Sequence, residues 1–256
     1  MRTRLFVNAG VLAAVLAAPL AAQGGAMAGM PGMNMDPTNK IVGSGKLPGD
    51  WMMNFDPARP ARGATAPPPA PAMTEVDVQT MGTGMHFRTG PAATYWSPKN
   101  MATGEYTVSA TFSQAKSMGH EAYGIFIGGS NLSDTTQRYV YFVVKPCRSS
   151  GDCKQPIVLG PNFGEFIINE RTSNARPTAL VPATHDAAVN IENATTGAAT
   201  NKLAIHVAKD TVHFILNDKL VRAIPKSLLT GSTDGLAGIR VNHNLDIHVD
   251  GFGIKK

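Results

Sequence analysis

Residues 201–224 constrain the fold more than any other part of the chain. Apolar residues alternate with polar or small ones on both sides of Lys209-Asp210. A period of two across a two-residue turn predicts an antiparallel β-hairpin with one buried face. The expected cross-strand pairs are Val207–Val212, His206–His213 and Ile205–Phe214. The expected buried face is Leu203, Ile205, Val207, Val212, Phe214 and Leu216.

Short segments of β character, separated by turn residues, make up most of the chain after Thr74. Residues 139–144 are β-branched and aromatic on both faces, which places them in the middle of a sheet. Residues 172–188 are expected to be irregular and 189–191 to form a short strand. The other predicted strands are 76–81, 85–89, 92–96, 105–114, 122–127, 156–159, 165–170, 235–241 and one centred on Ile247. Many short strands with no amphipathic helix predict an all-β sandwich.

The N-terminus has the features of an export signal. Arg2 and Arg4 precede an alanine-rich apolar run that ends in small residues, which predicts a signal peptide over residues 1–22. The alternative is an uncleaved membrane anchor, and Pro19 with the weak hydrophobicity of the run argues against it. We therefore expect an exported chain, soluble in the periplasm or outside the cell, with no transmembrane segment after cleavage.

Composition divides the remainder into four parts. Residues 23–39 are a Met- and Gly-rich leader that is expected to be disordered. Residues 40–56 carry enough apolar side chains to place a first strand or turn against the main domain. Residues 57–73 form a Pro- and Ala-rich connector, which has no means of building a core. Residues 74–256 are long enough for one domain.

Four methionines in the leader are candidate ligands for a copper ion. Thioether sulfur is a soft ligand that suits Cu(I). No histidine accompanies them, so chance enrichment in a flexible leader is the favoured interpretation. The residues concerned are Met27, Met30, Met33 and Met35.

The two cysteines of the chain, Cys147 and Cys153, are separated by five intervening residues in a turn-rich segment. In an exported chain, two close cysteines predict a disulfide that staples a loop. A redox-active pair usually has two intervening residues, and a metal site would need more ligands than this pair offers.

Charge argues against some classes of partner. The formal net charge is +5 and becomes +3 once Arg2 and Arg4 leave with the signal. The basic residues are scattered, without a Lys/Arg run or a basic patch interleaved with aromatic residues. Nucleic acid is therefore not an expected partner.

The order of segments from residue 76 to residue 254 resembles a known superfamily. The segments that carry the resemblance are MHFRTG, GEYTVSATFSQ, AYGIFIGG, YVYFVV, GEFIINER, NKLAIHVAKDTVHFILNDKLV and DGLAGIRVNHNLDIHVDGFGI. The order and pattern of these segments resemble those of the concanavalin A-like jelly rolls, and most of all those of the 3-keto-disaccharide hydrolase-like and laminin-G-like domains. The resemblance implies two curved antiparallel sheets, a concave face that often holds carbohydrate, and frequently a structural calcium. Enzymes and binding modules share this fold, so it does not fix the function.

Aromatic residues near strand ends are the first candidates for ligand contacts. Tyr95, Trp96 and Tyr123 could stack on sugar rings, because an aromatic face offers apolar contact to pyranose C–H groups. Burial in the core is the alternative, since aromatic residues in strands are usually buried. His120 and Glu121 precede a strand and are placed at a sheet rim.

Two sets of polar residues are candidate cation ligands. His206, His213, Asp246 and His248 alternate with core residues, so they belong to the outer faces of their strands, where they could bind a metal or remain solvated. Asn131 and Asp134 could offer oxygen ligands to calcium.

No catalytic residue is predicted. Residues 75–79 approach the E-x-D-x-E pattern of laminarinase-type hydrolases, but Gln79 stands where that chemistry needs an acid. We therefore expect a non-catalytic jelly roll that binds a glycan or another envelope component. The alternatives are a glycoside-cleaving enzyme of the 3-keto-disaccharide hydrolase type and a structural subunit that contacts an envelope protein.

Overall fold

The structure is a computed structural model. It describes residues 43–58, 66, 68–114, 121–146, 164–193, 195–196 and 198–256, and most of these residues lie in strands. The strands are β1 (Met52–Phe55), β2 (Val76–Met81), β3 (Gly84–Thr89), β4 (Ala93–Ala102), β5 (Tyr106–Gln114), β6 (Tyr123–Ser130), β7 (Arg138–Lys145), β8 (Glu165–Arg171), β9 (Thr178–His185), β10 (Ala199–Val207), β11 (Thr211–Leu216), β12 (Lys219–Pro225), β13 (Gly235–Val241) and β14 (Leu245–Lys255). Short 3-10 turns cover Met73–Glu75 and Lys226–Leu228. The predicted signal peptide, leader, cysteine pair and 156–159 strand lie outside the described residues.

The strands form two seven-stranded sheets. Sheet I has the order β1-β4-β13-β6-β7-β8-β9, and sheet II has the order β12-β11-β10-β5-β14-β3-β2. Every pairing between neighbouring strands is antiparallel. The all-β antiparallel sandwich predicted from the sequence is confirmed, and β7 lies inside its sheet as expected.

The hairpin of β10 and β11 has the expected register. Val207 pairs with Val212, His206 with His213, and Ile205 with Phe214. All six side chains of the predicted buried face are fully buried, because that face of sheet II packs on sheet I. The turn closes with a hydrogen bond of 2.9 Å from the Ala208 N–H to the Thr211 carbonyl oxygen.

Two expectations around residues 172–191 are wrong. β9 occupies a segment that was expected to be irregular, since this edge strand is largely exposed and contains Pro182, so it shows no apolar alternation. The segment 189–191 is not a strand, and Val189 instead closes a turn that begins at Asp186. There the Val189 N–H donates to the Asp186 carbonyl oxygen at 3.1 Å, and the Val189 side chain is buried.

Asn201 supplies a fully used polar group inside the sandwich. Its amide nitrogen donates to the Tyr123 hydroxyl at 3.1 Å and to the Asn190 carbonyl oxygen at 3.0 Å. Its amide oxygen accepts from the Asn190 N–H at 2.8 Å and from the Asn217 side chain at 2.9 Å. Because all these bonds are made, the buried amide fixes the packing between β10 and its neighbours without a desolvation penalty.

Residues 43–58, which we call the strap, run from one sheet to the other. At the start, the Gly43 N–H donates to the Thr74 carbonyl oxygen, just before β2 at the edge of sheet II. Leu47 and Trp51 then pack against the core. β1 then forms the edge strand of sheet I, where it pairs with β4. Just after β1, the Asp56 N–H donates to the Ala92 carbonyl oxygen and extends this pairing.

The hairpin assignment gives a direct stability test. Phe214→Ala removes a fully buried ring and is expected to lower the free energy of unfolding by about 3–5 kcal/mol. His213→Ala, at the neighbouring position on the outer face, is expected to cost less than about 1 kcal/mol. Urea unfolding of both variants measures the difference. Equal losses would contradict the assignment of faces.

Candidate functional site

Two of the predicted sugar-stacking rings lie in the core. Tyr95 meets Phe87 edge-on at 5.0 Å between ring centroids, and Tyr123 stacks on Phe112 at 5.2 Å. Both tyrosines are fully buried between the sheets. Burial raises the pKa of Tyr95 to about 12 and raises the pKa of Tyr123 as well. Neither ring face is open to a ligand, so core packing replaces the expected binding role.

The other three predicted ligand contacts are scattered. Trp96 lies on the outer face of sheet I, yet it is buried under neighbouring side chains. Glu121 approaches His243, with 3.7 Å between its Oε2 and the histidine Nδ1, and this interaction raises the pKa of His243. His120 lies outside the described residues.

The predicted metal ligands fall into two separate pairs. His206 and His213 face each other across β10 and β11, with ring centroids 5.6 Å apart, and His206 Nδ1 lies 3.0 Å from the Thr107 hydroxyl. His248 instead faces His86 across β14 and β3, with ring centroids 6.3 Å apart. The two pairs occupy different places on the outer face of sheet II, so the four predicted ligands do not converge.

Each histidine of the second pair contacts a carboxylate through its Nε2, whereas its Nδ1 is buried without a hydrogen bond to the described residues. His86 Nε2 lies 3.0 Å from Asp246 Oδ1, and His248 Nε2 lies 3.0 Å from Asp250 Oδ2. Among the residues that the structure describes, no group of three or more His, Cys, Asp or Glu side chains could hold a metal ion. The predicted metal site is therefore not assembled here.

The loop predicted to bind calcium does not fit that ion. Asp134 Oδ1 accepts hydrogen bonds from the Thr136 N–H at 2.9 Å and from the Thr135 hydroxyl at 3.1 Å. These bonds lower the pKa of Asp134. The Asn131 amide nitrogen points to the Thr136 hydroxyl at 3.1 Å. Asp134 Oδ1 is thus engaged in hydrogen bonds within the loop. Calcium needs six to eight oxygen ligands, which is more than Asp134 and Asn131 can supply.

A layer of aromatic rings covers the outer face of sheet I. Phe126, Tyr139 and Tyr141 form a chain with centroid separations of 5.2 and 5.7 Å. The absence of a side chain at Gly238 leaves space for the Phe126 ring, because a Cβ at position 238 would lie 2.5 Å from that ring. The buried residues of this aromatic layer form a hydrophobic cluster separate from the main core, and they are Trp96, Ala122, Phe126, Leu132, Tyr139, Tyr141 and Val143.

Over this layer lies the arginine cluster, which consists of Asp56, Arg171 and Arg240. Arg240 binds both oxygens of Asp56, with Nη1–Oδ1 at 2.7 Å and Nη2–Oδ2 at 2.5 Å. Arg171 Nη2 reaches the same Oδ2 at 3.1 Å. Arg171 lies over the ring of Tyr139 at 5.7 Å, and Arg240 lies over that of Tyr141 at 5.6 Å. The strap is thus fastened to sheet I by one carboxylate and two guanidinium groups.

The charges of the arginine cluster decide the protonation of Asp56. Burial alone would raise the pKa of this carboxyl, but the two guanidinium groups outweigh it and hold the pKa below its usual range. Glu170, the neighbour of Arg171 in sequence, does not join the cluster. Its carboxylate accepts from the N–H groups of Thr230 at 3.0 Å and Gly231 at 2.7 Å.

A cleft of about 390 Å³, which we call the side cleft, lies where the strap passes the β2–β3 hairpin. Trp51 and Phe252 meet edge-to-face in it, with ring centroids 5.7 Å apart. This volume is within the roughly 300–1,000 Å³ typical of small-molecule sites. The lining residues are Pro48, Gly49, Asp50, Trp51, Thr80, Thr83, Gly84, Met85, Val249, Gly251 and Phe252.

An irregularity in β14 brings Phe252 to the side cleft. The pairing with β5 shifts between Asp250 and Gly253, and Gly251 adopts a left-handed conformation with φ of 60°. Such a bulge changes the alternation of side chains by one position. Phe252 therefore packs towards the core side, although the polar residues at 246, 248 and 250 point outwards.

Polar groups stand beside the two rings. The Asp50 carboxylate accepts from the Ser97 hydroxyl at 2.9 Å and pairs with Lys99 Nζ at 2.8 Å. The bonds from Lys99 and Ser97 lower the pKa of Asp50. Thr83 donates from its hydroxyl to Asp250 Oδ1 at 3.2 Å. The side cleft thus combines apolar ring surface with a carboxylate that stays ionised and with hydroxyl groups.

Comparison with known proteins identifies the fold. No family model and no curated protein matches the sequence. The carbohydrate-binding module CBM66 from Bacillus subtilis superposes with a TM-score of 0.51, at 10% identity, over 81% of this chain and 96% of that one. The two antiparallel sheets described above and this structural match indicate the same fold. The fold is a concanavalin A-like jelly-roll sandwich.

Weaker matches include two further solved structures. A Bacillus subtilis protein of unknown function with a galectin-like fold has a TM-score of 0.49 at 10% identity, over 80% of this chain and 89% of that one. A legume lectin-like domain from Entamoeba histolytica has a TM-score of 0.48 at 7% identity, over 81% and 90%. At such identities the similarity concerns the fold of the jelly roll and not its ligand. Within the described residues, no helix has the length and apolar character needed to span a membrane.

Sequence reasoning missed both the side cleft and the arginine cluster of this jelly roll. In the sequence, Trp51 is one of the apolar residues of the 40–56 segment, and Phe252 lies at the far end of the chain. Arg171 and Arg240 carry no local pattern that distinguishes them from surface arginines. Only the strand order brings these residues together, so no local sequence signal could have found them.

The arginine cluster predicts a pH-dependent stability. Asp56→Asn is expected to lower the free energy of unfolding near neutral pH by about 3 kcal/mol, because it removes one partner of a buried pair. A lowered folded-state pKa contributes stability above the unfolded pKa of about 3.9, and this contribution disappears as pH falls through the folded value. Urea titrations should therefore show wild type and variant converging below about pH 4. A difference that is constant from pH 7 to pH 3 would contradict the assignment.

Proposed function

We propose that this chain is an exported glycan-binding module whose ligand lies in the side cleft. The observation that carries the proposal is the pairing of Trp51 and Phe252 in an open cleft beside the Asp50 carboxylate. The jelly-roll fold is compatible with such a role, as the carbohydrate-binding module from Bacillus subtilis has the same fold. Export is proposed from the N-terminal sequence alone.

The chemistry of the side cleft suits a sugar. Aromatic rings offer apolar surface to the C–H groups of a pyranose. The Asp50 carboxylate has about four lone-pair positions, of which Ser97 and Lys99 use two. The remaining ones can accept hydrogen bonds from sugar hydroxyl groups. Thr80 and Thr83 add hydroxyl groups on the opposite wall.

Electrostatics favour binding over hydrolysis at this place. A glycoside-cleaving acid needs a raised pKa so that it keeps a proton to donate. Hydrogen bonds from Lys99 and Ser97 shift the pKa of Asp50 in the opposite direction. Asp50 is therefore suited to accept hydrogen bonds and unsuited to be a general acid.

Two glycine positions allow a matched test. Gly251 lines the cleft with φ of 60°, and a Cβ built there meets no atom within 4 Å. Asparagine tolerates this left-handed conformation, so Gly251→Asn adds a side chain at the lining of the cleft at low backbone cost. Gly104 has φ of 75° and equally open surroundings in the turn between β4 and β5, away from the cleft. Gly104→Asn is the control.

The binding measurement is a glycan array followed by calorimetry with cell-wall and plant oligosaccharides. The wild-type chain is expected to bind at least one of them, Gly251→Asn to bind it at least tenfold more weakly, and Gly104→Asn to bind it within about twofold. Failure of the wild-type chain to bind any glycan would overturn the proposal. Equal weakening in both variants would overturn the assignment to the side cleft.

A further inference from the structure

The arginine cluster contains more positive charge than its carboxylate can balance. Arg171 and Arg240 are 2% and 3% exposed, and Asp56 lies between them. The other charged pair beside them, His243 with Glu121, balances itself when the histidine is protonated. Glu170 is occupied by backbone N–H groups elsewhere. Among the described residues, two buried guanidinium groups thus share one carboxylate, and an unbalanced buried charge is costly.

Several buried polar atoms around the arginine cluster make no hydrogen bond to the described part of the chain. They are Arg171 Nε, Arg240 Nε, the Tyr139 hydroxyl oxygen and Asn169 Oδ1. Three of these four groups are hydrogen-bond donors. Buried donors without partners are rare in native proteins and call for an explanation. Excess positive charge and unused donors favour an anion that accepts hydrogen bonds, and a carboxylate ligand with further acceptor groups can use donors that Asp56 leaves unused.

Asp56 is supplied by the strap and not by the strands that carry the arginines. Its side chain is 26% exposed, so solvent reaches the cluster beside it. Contacts other than the Asp56 side chain also hold this end of the strap: β1 pairs with β4, the Asp56 N–H donates to the Ala92 carbonyl oxygen, and the Asn54 side chain donates to the Leu132 carbonyl oxygen at 2.7 Å. A carboxylate from outside can therefore take the place of the Asp56 carboxylate, because the exchange replaces one set of charge-assisted hydrogen bonds with another.

We infer that Arg171 and Arg240 form a binding site for a carboxylate group, which Asp56 fills in this structure and from which a carboxylate-bearing small molecule can displace it. The planar guanidinium fork is suited to bidentate recognition of a carboxylate, and each guanidinium group lies over a tyrosine ring, Arg171 over Tyr139 and Arg240 over Tyr141. This site is separate from the side cleft and does not depend on glycan binding there.

The test is chemical rescue of an emptied site. Asp56→Ala is expected to melt below the wild type, and sodium glucuronate or sodium acetate should raise its melting temperature saturably by roughly 2–5 °C. Methyl glucuronate, which lacks the charge, and sodium chloride should not. A larger rise with glucuronate would identify the ligand as a sugar acid, and a larger rise with acetate would identify it as a simple acid.

The control is Asp77→Ala, which removes a carboxylate that faces the single guanidinium of Arg88 at 3.9 Å. No carboxylate should rescue it. If Asp56→Ala does not fold, Asp56→Asn keeps the shape of the side chain and is titrated with glucuronate and acetate by calorimetry. The wild-type chain should bind these anions at least tenfold more weakly than the variant, since they compete with Asp56. No saturable rescue or binding in either variant, equal rescue of the control, or equal affinity in wild type and variant would overturn the inference.

Discussion

Two buried guanidinium groups bind one carboxylate, and this contact fastens the strap to the sandwich. Arg171 and Arg240 come from strands that are separated by β6 and β7, so Asp56 ties the strap to the middle of sheet I as well as to its edge. The carboxylate stays ionised because the arginines lower its pKa. It adds to the pairing of β1 with β4 and to the bonds of Asp50 with Ser97 and Lys99, which hold the strap at the edge.

The side cleft is formed by the same strap. One wall belongs to the strap, through Asp50 and Trp51, and the other belongs to sheet II, through the β2–β3 hairpin and Phe252. The bulge at Gly251 turns Phe252 towards Trp51, and the bonds of Asp50 to Ser97 and Lys99 fix the wall on the side of β4. The side cleft is thus built from the strap and a local irregularity of β14, and the regular strands of the jelly roll support both.

The sequence predicts the regular part of this molecule better than its sites. Alternation in residues 201–216 determines the register of β10 and β11, because the period of two is a local property of the chain. β9 is missed, since Pro182 and an exposed edge remove that signal. Tyr95 and Tyr123 look like ligand contacts until the sheets enclose them. The contacts of Asp56 with Arg171 and Arg240 join positions 115 and 184 residues apart, which no local pattern reveals.

Tryptophan fluorescence tests the assignment of the ligand to the side cleft most directly, because the chain has two tryptophans in different surroundings. Trp51 lines the cleft, and Trp96 is buried in the aromatic layer of sheet I. In Trp96→Phe, a glycan that binds by calorimetry should change the emission of Trp51 saturably. In Trp51→Phe, the emission of Trp96 should not change. A saturable response from Trp96 alone would contradict the account.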